Sequence, residues 1–352
     1  MIYKIVRKVK SKKDKLVKEV MPYWFYRSTF LSGVYYAFFH PGFRREFQAV
    51  LSGKVKHLNE ARVTKSNYFM LVRNTHRLEK GLLMQPRRDV FAAEYIRETV
   101  DCYIGVKNGN PQYADDLQLK WSRDVLNSFF EVVKSHPIID VEKARFLESE
   151  HSAGFKSTHD ISFTPYLRKA SDFSSITYEE FYKLNRQRRS VRWFLNKEVP
   201  RDLIDKAILA AIQAPSACNR QPFSFRVLDD KHLLEKAVTL PMGTKGYAHS
   251  IMTFIVVVGN LEAYFDERDR HLIYIDASLA NMSLMLALET LGLSSCPINW
   301  PDIEEREVEM SKFLNLEAYE RPIMCIGVGY PDPEGMVAFS EKRSLDKIRM
   351  YN

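Results

Sequence analysis

The chain has 352 residues, 45% hydrophobic and 27% charged, with a formal net charge of +8 and four cysteines. That balance fits a soluble globular protein with room for two domains of ordinary size. Cys102, Cys218, Cys296 and Cys325 form no CxxC pair and sit mostly in apolar runs, which argues against a disulfide framework and a zinc site and suits a reducing cytosol.

The charge is concentrated at the start. Residues 1–20 hold eight lysines and arginines against two acids, so they carry +6 of the total. The remainder is close to neutral, which argues against a nucleic-acid partner. Tyr23-Trp24-Phe25-Tyr26 follows, then Phe30, Leu31, Tyr35, Tyr36, Phe38, Phe39 and Phe43, with Arg27 the only formal charge between Met21 and Phe43. Lysines beside an aromatic belt suit an anionic membrane surface. The same rings suit a seam against the rest of the protein or a dimer partner equally well. Residues 1–43 are therefore read either as a peripheral membrane contact or as a packed segment, within a basic and aromatic arm spanning 1–58. No stretch reaches eighteen uncharged apolar residues, and the start lacks a signal peptide's cleavage site, so a cytoplasmic location is expected, either free or at the inner face of a membrane.

Residues 59–150 read as helical, with apolar residues at helical spacing in 92–100 and 121–130 and a break at Asn108-Gly109-Asn110-Pro111. The run His76-Arg77-Leu78-Glu79-Lys80-Gly81-Leu82 is more ordinary as a charge-paired helix surface ending at Gly81 than as a substrate pocket. It is given no catalytic role. Residues 151–175, with Gly, Ser, Thr and Pro165, read as a linker to a domain spanning 176–352. There the pattern predicts helices over 178–187 and 201–213, the second stopped ahead of Pro215. It predicts strands over 223–228, 253–259 and 323–328. The segment 276–291 is apolar on nearly every face and is predicted to be a buried helix.

Two segments in this half carry chemistry. Arg188-Arg189-Ser190-Val191-Arg192-Trp193-Phe194 gathers three guanidinium groups around a small hydroxyl, a set that holds phosphate by forked, charge-assisted hydrogen bonds. Ala214-Pro215-Ser216-Ala217-Cys218-Asn219-Arg220-Gln221-Pro222-Phe223 offers a hydroxyl, two carboxamides and turn backbone, suited to a flat heteroaromatic ring. Two later segments, Gly292-Leu293-Ser294-Ser295-Cys296-Pro297-Ile298-Asn299-Trp300 and Ile326-Gly327-Val328-Gly329-Tyr330-Pro331 with Lys342-Arg343-Ser344-Leu345, complete a set of four. In this order they resemble the nitroreductase family of FMN enzymes, whose RRSxRxF run is followed by APSxxNxQPW and GLGxCxIGW, over residues 176–352. Phe223 stands where the family usually has Trp, and Ser294 and Asn299 replace glycines.

The resemblance implies an α+β fold, a nitroreductase-like sheet flanked by helices around a buried central helix, here preceded by a mainly helical N-terminal region. It makes Arg188, Arg189, Ser190 and Arg192 ligands of FMN, with Lys342 and Arg343 a second phosphate-binding base. It makes Pro215, Ser216, Asn219 and Gln221 neighbours of the ring or ribityl chain, and brings the backbone at Cys296, Pro297 and Ile298 toward the flavin. Arg192 is the candidate for positive charge near N1 and O2 of the reduced ring, with Lys245 a weaker one, because the family's Asn-and-Lys loop is not clearly recognisable here. Absence of a GxGxxG turn favours FMN over FAD. The resemblance further implies a homodimer with sites built from both subunits and a ping-pong cycle from NAD(P)H to a small organic acceptor, without a side-chain acid or base. The alternative is a membrane-associated scaffold with a repurposed flavin domain, against which the intact Arg188, Ser190, Asn219 and Arg343 argue.

Overall fold

A computed structural model describes residues 12, 14–109, 115–152 and 161–351. Five of the basic residues of the arm (Lys4, Arg7, Lys8, Lys10 and Lys13), Asn110 and Pro111 of the expected break, and part of the expected linker lie outside these.

The fold is α+β. Four antiparallel strands, β1 (Phe223–Leu228), β2 (Thr253–Asn260), β3 (Ser294–Asn299) and β4 (Glu320–Gly329), lie in the order β1-β2-β4-β3. Every residue of β2 is buried, and its alternation divides the interior. Ile255 and Val257 face one core with Ile326 and Val328, whereas Phe254, Val256 and Val258 face another with Cys325, Cys296 and Ile298. Segment 294–299 was expected to approach the cofactor without a predicted strand. Ser, Cys, Pro and Asn are poor strand formers, but the pairing of Ser294 with Gly329 through Asn299 with Met324 overrides that preference.

The long helix Leu272–Thr290 crosses the first core, packing Ile273, Ala277, Ala280, Leu284 and Leu288 beneath the helix Arg201–Ala211, whose Ile204, Ala207 and Ala211 are buried against it. Its composition and length would suit a membrane span, yet one side belongs to this core. The other side corrects the expectation of burial all round: Ile275, Leu279 and Met282 are 52%, 45% and 37% exposed and form an apolar stripe.

The N-terminal half contributes its own core and part of the sheet's. Helices Tyr68–Leu82, Ile96–Asn108, Asp116–Val132 and Pro137–Ser152 enclose Leu78, Ile96, Val100, Leu126, Phe129 and Phe146. The helix expected from Ala92 begins only at Ile96, because Ala92 adopts a left-handed φ of 65°. Ala49 and Phe69 join the core of the sheet. Helix Arg44–Asn59 lies so close to the turn after β2 that a Cβ on Gly53 would come within 2.6 Å of the Leu261 carbonyl. His57 seals this contact, its Nδ1 2.8 Å from the Glu262 carbonyl oxygen and its own carbonyl accepting from the Asn67 amide.

Burial, reinforced by the charges of Arg220 and Arg73, depresses His57 from 6.5 to about 4, outweighing its bond to Glu262. The unfolded chain therefore binds the extra proton first, so the contribution is full above about pH 6.5 and is withdrawn as pH falls toward 4. The loss is about 3 kcal/mol at the acid end of that window. Urea midpoints measured from pH 7 to 4 should fall less steeply for His57→Gln than for the parent chain.

The aromatic arm closes on itself. The Tyr35 hydroxyl donates to the Val17 carbonyl at 2.8 Å, and Phe25 meets Tyr35 and Phe39. Tyr23, Trp24, Tyr26, Phe30 and Phe38 point outward, each more than half exposed.

Candidate functional site

The helix Tyr178–Gln187 starts at a reciprocal cap between Thr177 and Glu180 and delivers Arg188 to the ends of β3 and β4. Gln187 donates to Glu289, which also accepts from the Ser294 hydroxyl. Ser190 pairs with Ser295, and the Val191 amide donates to the Ser295 carbonyl at 3.1 Å. Phe194 then pairs with Pro331 and fills the space over Gly329, where a Cβ would meet its ring at 2.8 Å. Thus the run is laid across both strands as a short extension of the sheet.

This corner has open hydrogen-bonding capacity. Arg188 Nε and Ser295 Oγ are buried without a partner among the described residues. Such groups are costly unless paired, and both can donate to an anionic oxygen. Arg192 is exposed, its guanidinium 5.8 Å above the Tyr247 ring and its carbonyl accepting from Ser250. Burial, then the neighbouring Cys296 thiol, raises the Tyr247 phenol above its ordinary range. Cys296 and Ile298 turn their side chains into the core with Tyr247 and Trp300, so only their backbone is available to a ligand. Pro297 is half-buried. Lys245 is exposed in a loop that reaches β3 through Gly243, whose Cβ would lie 3.1 Å from Ile298.

The second segment is a turn between helix Arg201–Ala211 and β1. Cys218, Asn219 and Gln221 adopt φ values of 55°, 55° and 48°. The left-handed region tolerates Asn and is strained for the other two, so surrounding contacts must hold it. Asp276 accepts from the Ala217 amide at 2.9 Å, Ser216 Oγ accepts from the Gln221 amide, and the Gln221 side chain donates to the Ile212 carbonyl. Burial keeps the Asp276 carboxyl above the usual carboxylate range despite bonds from Ala217 and the Tyr264 hydroxyl. Pro215 is exposed at the rim, and Asn219 is half-buried.

The two segments do not meet in one chain. Ala217 is fastened to Asp276 and Gln187 to Glu289, thirteen residues along the same helix. At 1.5 Å per residue those anchors stand about 20 Å apart. Lys342 and Arg343 are exposed, and Arg343 donates to the Lys347 carbonyl at 2.8 Å. Ser295 carried no signal in sequence beyond its place in a matching segment. Arg220 passed as a spacer, yet it is only 5% exposed.

The family model of the Nitroreductase family matches residues 186–245 and 241–330. Among curated relatives, iodotyrosine deiodinase 1 of Pongo abelii is 28% identical over 200 residues, covering 48% of this chain and 67% of the relative. Iodotyrosine deiodinase 1 of Homo sapiens is 27% identical over 201 residues, covering 48% and 68%. Among solved structures, an FMN-dependent nitroreductase from Clostridium difficile aligns with a TM-score of 0.42 and 24% identity, covering 48% of this chain and 98% of that one.

Proposed function

We propose that two copies of the chain bind FMN between them and form an oxidoreductase that takes hydride from NAD(P)H and passes electrons to a small organic acceptor. The observation that carries this reading is the placement of the two cofactor segments at opposite ends of a helix with an exposed apolar stripe. Two such helices packed antiparallel about a two-fold axis would bury Ile275, Leu279 and Met282. The same packing would set the turn at 214–223 of one copy beside the run at 188–194 of the other.

Bound FMN would supply the hydride and electron transfer. Arg188, Arg189, Ser190 and the Ser295 hydroxyl would hold the phosphate, with Lys342 and Arg343 able to join them. Pro215, Ser216, Asn219 and Gln221 would orient the ring, and Arg192 would place positive charge near it, with Lys245 on the same side of the sheet. The purified protein should be yellow, release FMN on denaturation, and bleach when NADH or NADPH is mixed in without oxygen. A colourless protein that does not take up FMN would favour the scaffold reading instead.

Leu279→Glu places a charge in the stripe and should yield a monomer that has lost its flavin. Light scattering that finds a monomer with full flavin content would count against a shared site.

For location, we propose a peripheral membrane contact through the outward rings of the arm and the exposed Lys12, Lys15 and Lys18. Full-length protein should sediment with anionic vesicles at low salt and detach as ionic strength rises, since such contacts are screened within about 8 Å at physiological salt. A chain lacking residues 1–43 should stay in solution and remain reducible by nicotinamide.

A further inference from the structure

Building on the flavin reading, we propose that the helix Tyr68–Leu82 and the loop after it bind the acid group of an anionic acceptor, a small organic carboxylate or phosphate ester. The helix packs directly on the left-handed turn at 217–219 and carries Arg73, Arg77 and Lys80 on one face.

Arg73 is half-buried and has neither a hydrogen bond nor an ion pair among the described residues; its guanidinium lies 5.6 Å over the Phe265 ring. Its charged surroundings are mostly cationic: burial, then Arg77 and Arg220, lower its proton affinity, with Glu98 opposing them. Arg220 sits 4.9 Å over the Tyr264 ring, with its Nε buried and unpartnered. Arg77 stacks at 3.5 Å on Tyr95, donates to Asn74 and stands 3.8 Å from the exposed Glu94. Glu94 is the one acid in ion-pair contact with these arginines among the described residues, and two others nearby direct their hydrogen bonds to neutral donors. Glu98 accepts from the Asn74 amide, and Asp276 accepts from Ala217 and Tyr264.

Three guanidinium groups therefore gather beside the ring turn, and two of them, Arg73 and Arg220, have no acid in hydrogen-bond or ion-pair contact among the described residues. A buried cation without a partner is costly, and a bound anion would offset that cost. The opening is at hand. A cavity of about 660 Å³ has Arg77 in its wall, together with Lys80, Arg88, Glu94, Met84 and Phe91. That size suits a small organic molecule, and its cations outnumber its acid. Guanidinium groups pair with carboxylate and phosphate alike, so the geometry selects the charge and the probes must separate the two.

The test is calorimetric titration of the protein as purified with benzoate and with phenyl phosphate. At least one should bind, and which one identifies the acid group. Arg73→Gln, and separately the exposed pair Lys80→Gln with Arg88→Gln, should weaken that binding by about tenfold or more, the scale of a lost charge-assisted bond. In turnover, the ratio of kcat/KM for 4-nitrobenzoate over 4-nitrobenzyl alcohol should fall by a similar factor, with FMN content per chain unchanged. The inference is overturned if neither anion binds, if both variants bind as the parent does, if charged and neutral acceptors lose equally, or if FMN content falls in step with anion binding. Flavin-free protein that still binds the anions would defeat the flavin reading and leave the anion site standing.

Discussion

Glu307→Ala should remove about 3–5 kcal/mol of stability, because it leaves a charge buried without its partner. The Glu307 carboxylate accepts from the Trp300 indole at 2.6 Å and from Arg321 Nε at 3.1 Å, and Arg321 is only 2% exposed. Asp302, at 2.7 Å from Arg321, is more than half exposed and offers weaker compensation. The pair ties helix Glu304–Leu314 to the start of β4, so its loss loosens the sheet. Equilibrium urea unfolding of the variant measures the effect. Replacing both partners by apolar residues of similar volume should recover much of it, since no buried charge then remains. A loss for Glu307→Ala well under 1 kcal/mol would show that Asp302 and water suffice.

Arg188→Ala should lower FMN affinity roughly ten- to a hundredfold, the loss of about 1.5–3 kcal/mol carried by one hydrogen bond to a charged group. Arg188 follows directly on the helix ended at Gln187, and its unpartnered Nε lies buried near the point where the run joins β3. Flavin retained per chain after serial dilution measures the change. Retention equal to that of the parent would remove Arg188 from the phosphate site. Arg192→Ala, whose guanidinium already stands over Tyr247, provides the comparison for a group assigned to the ring.

Local chemistry explains which elements could be read from the residues. The helix over 178–187 and the strand over 223–228, the latter read from its β-branched and aromatic content, both have the expected bounds. Helix 201–213 ends two residues early, at Ala211, within the scatter of frayed ends. β3 was hidden because its stability comes from pairing with β4 and not from its own residues. The exposed stripe of the long helix was hidden for a different reason. Ile275, Leu279 and Met282 are as apolar as their buried neighbours, and hydrophobicity alone does not distinguish a core from a face kept for another chain.

The site was legible in the same uneven way. Arg188, Ser190, Ser216 and Asn219 stood out because side-chain type and spacing suit an anion and a ring. Their separation along one helix did not, because it depends on which end of Leu272–Thr290 each segment is fastened to. Arg73, Arg77 and Arg220 were unreadable as a group, coming from two distant parts of the sequence and meeting only through the packing of helix Tyr68–Leu82 on the turn.

That turn also links the two halves of the chain. Its left-handed residues are gripped by Asp276 on one side and by helix Tyr68–Leu82 on the other. Any ligand that prefers the gripped form must stabilise the helix by as much as the helix strengthens the ligand, because such coupling is reciprocal. The N-terminal half is therefore a thermodynamic partner of whatever occupies the turn, and changes made at the seat of this helix can retune the turn without touching it.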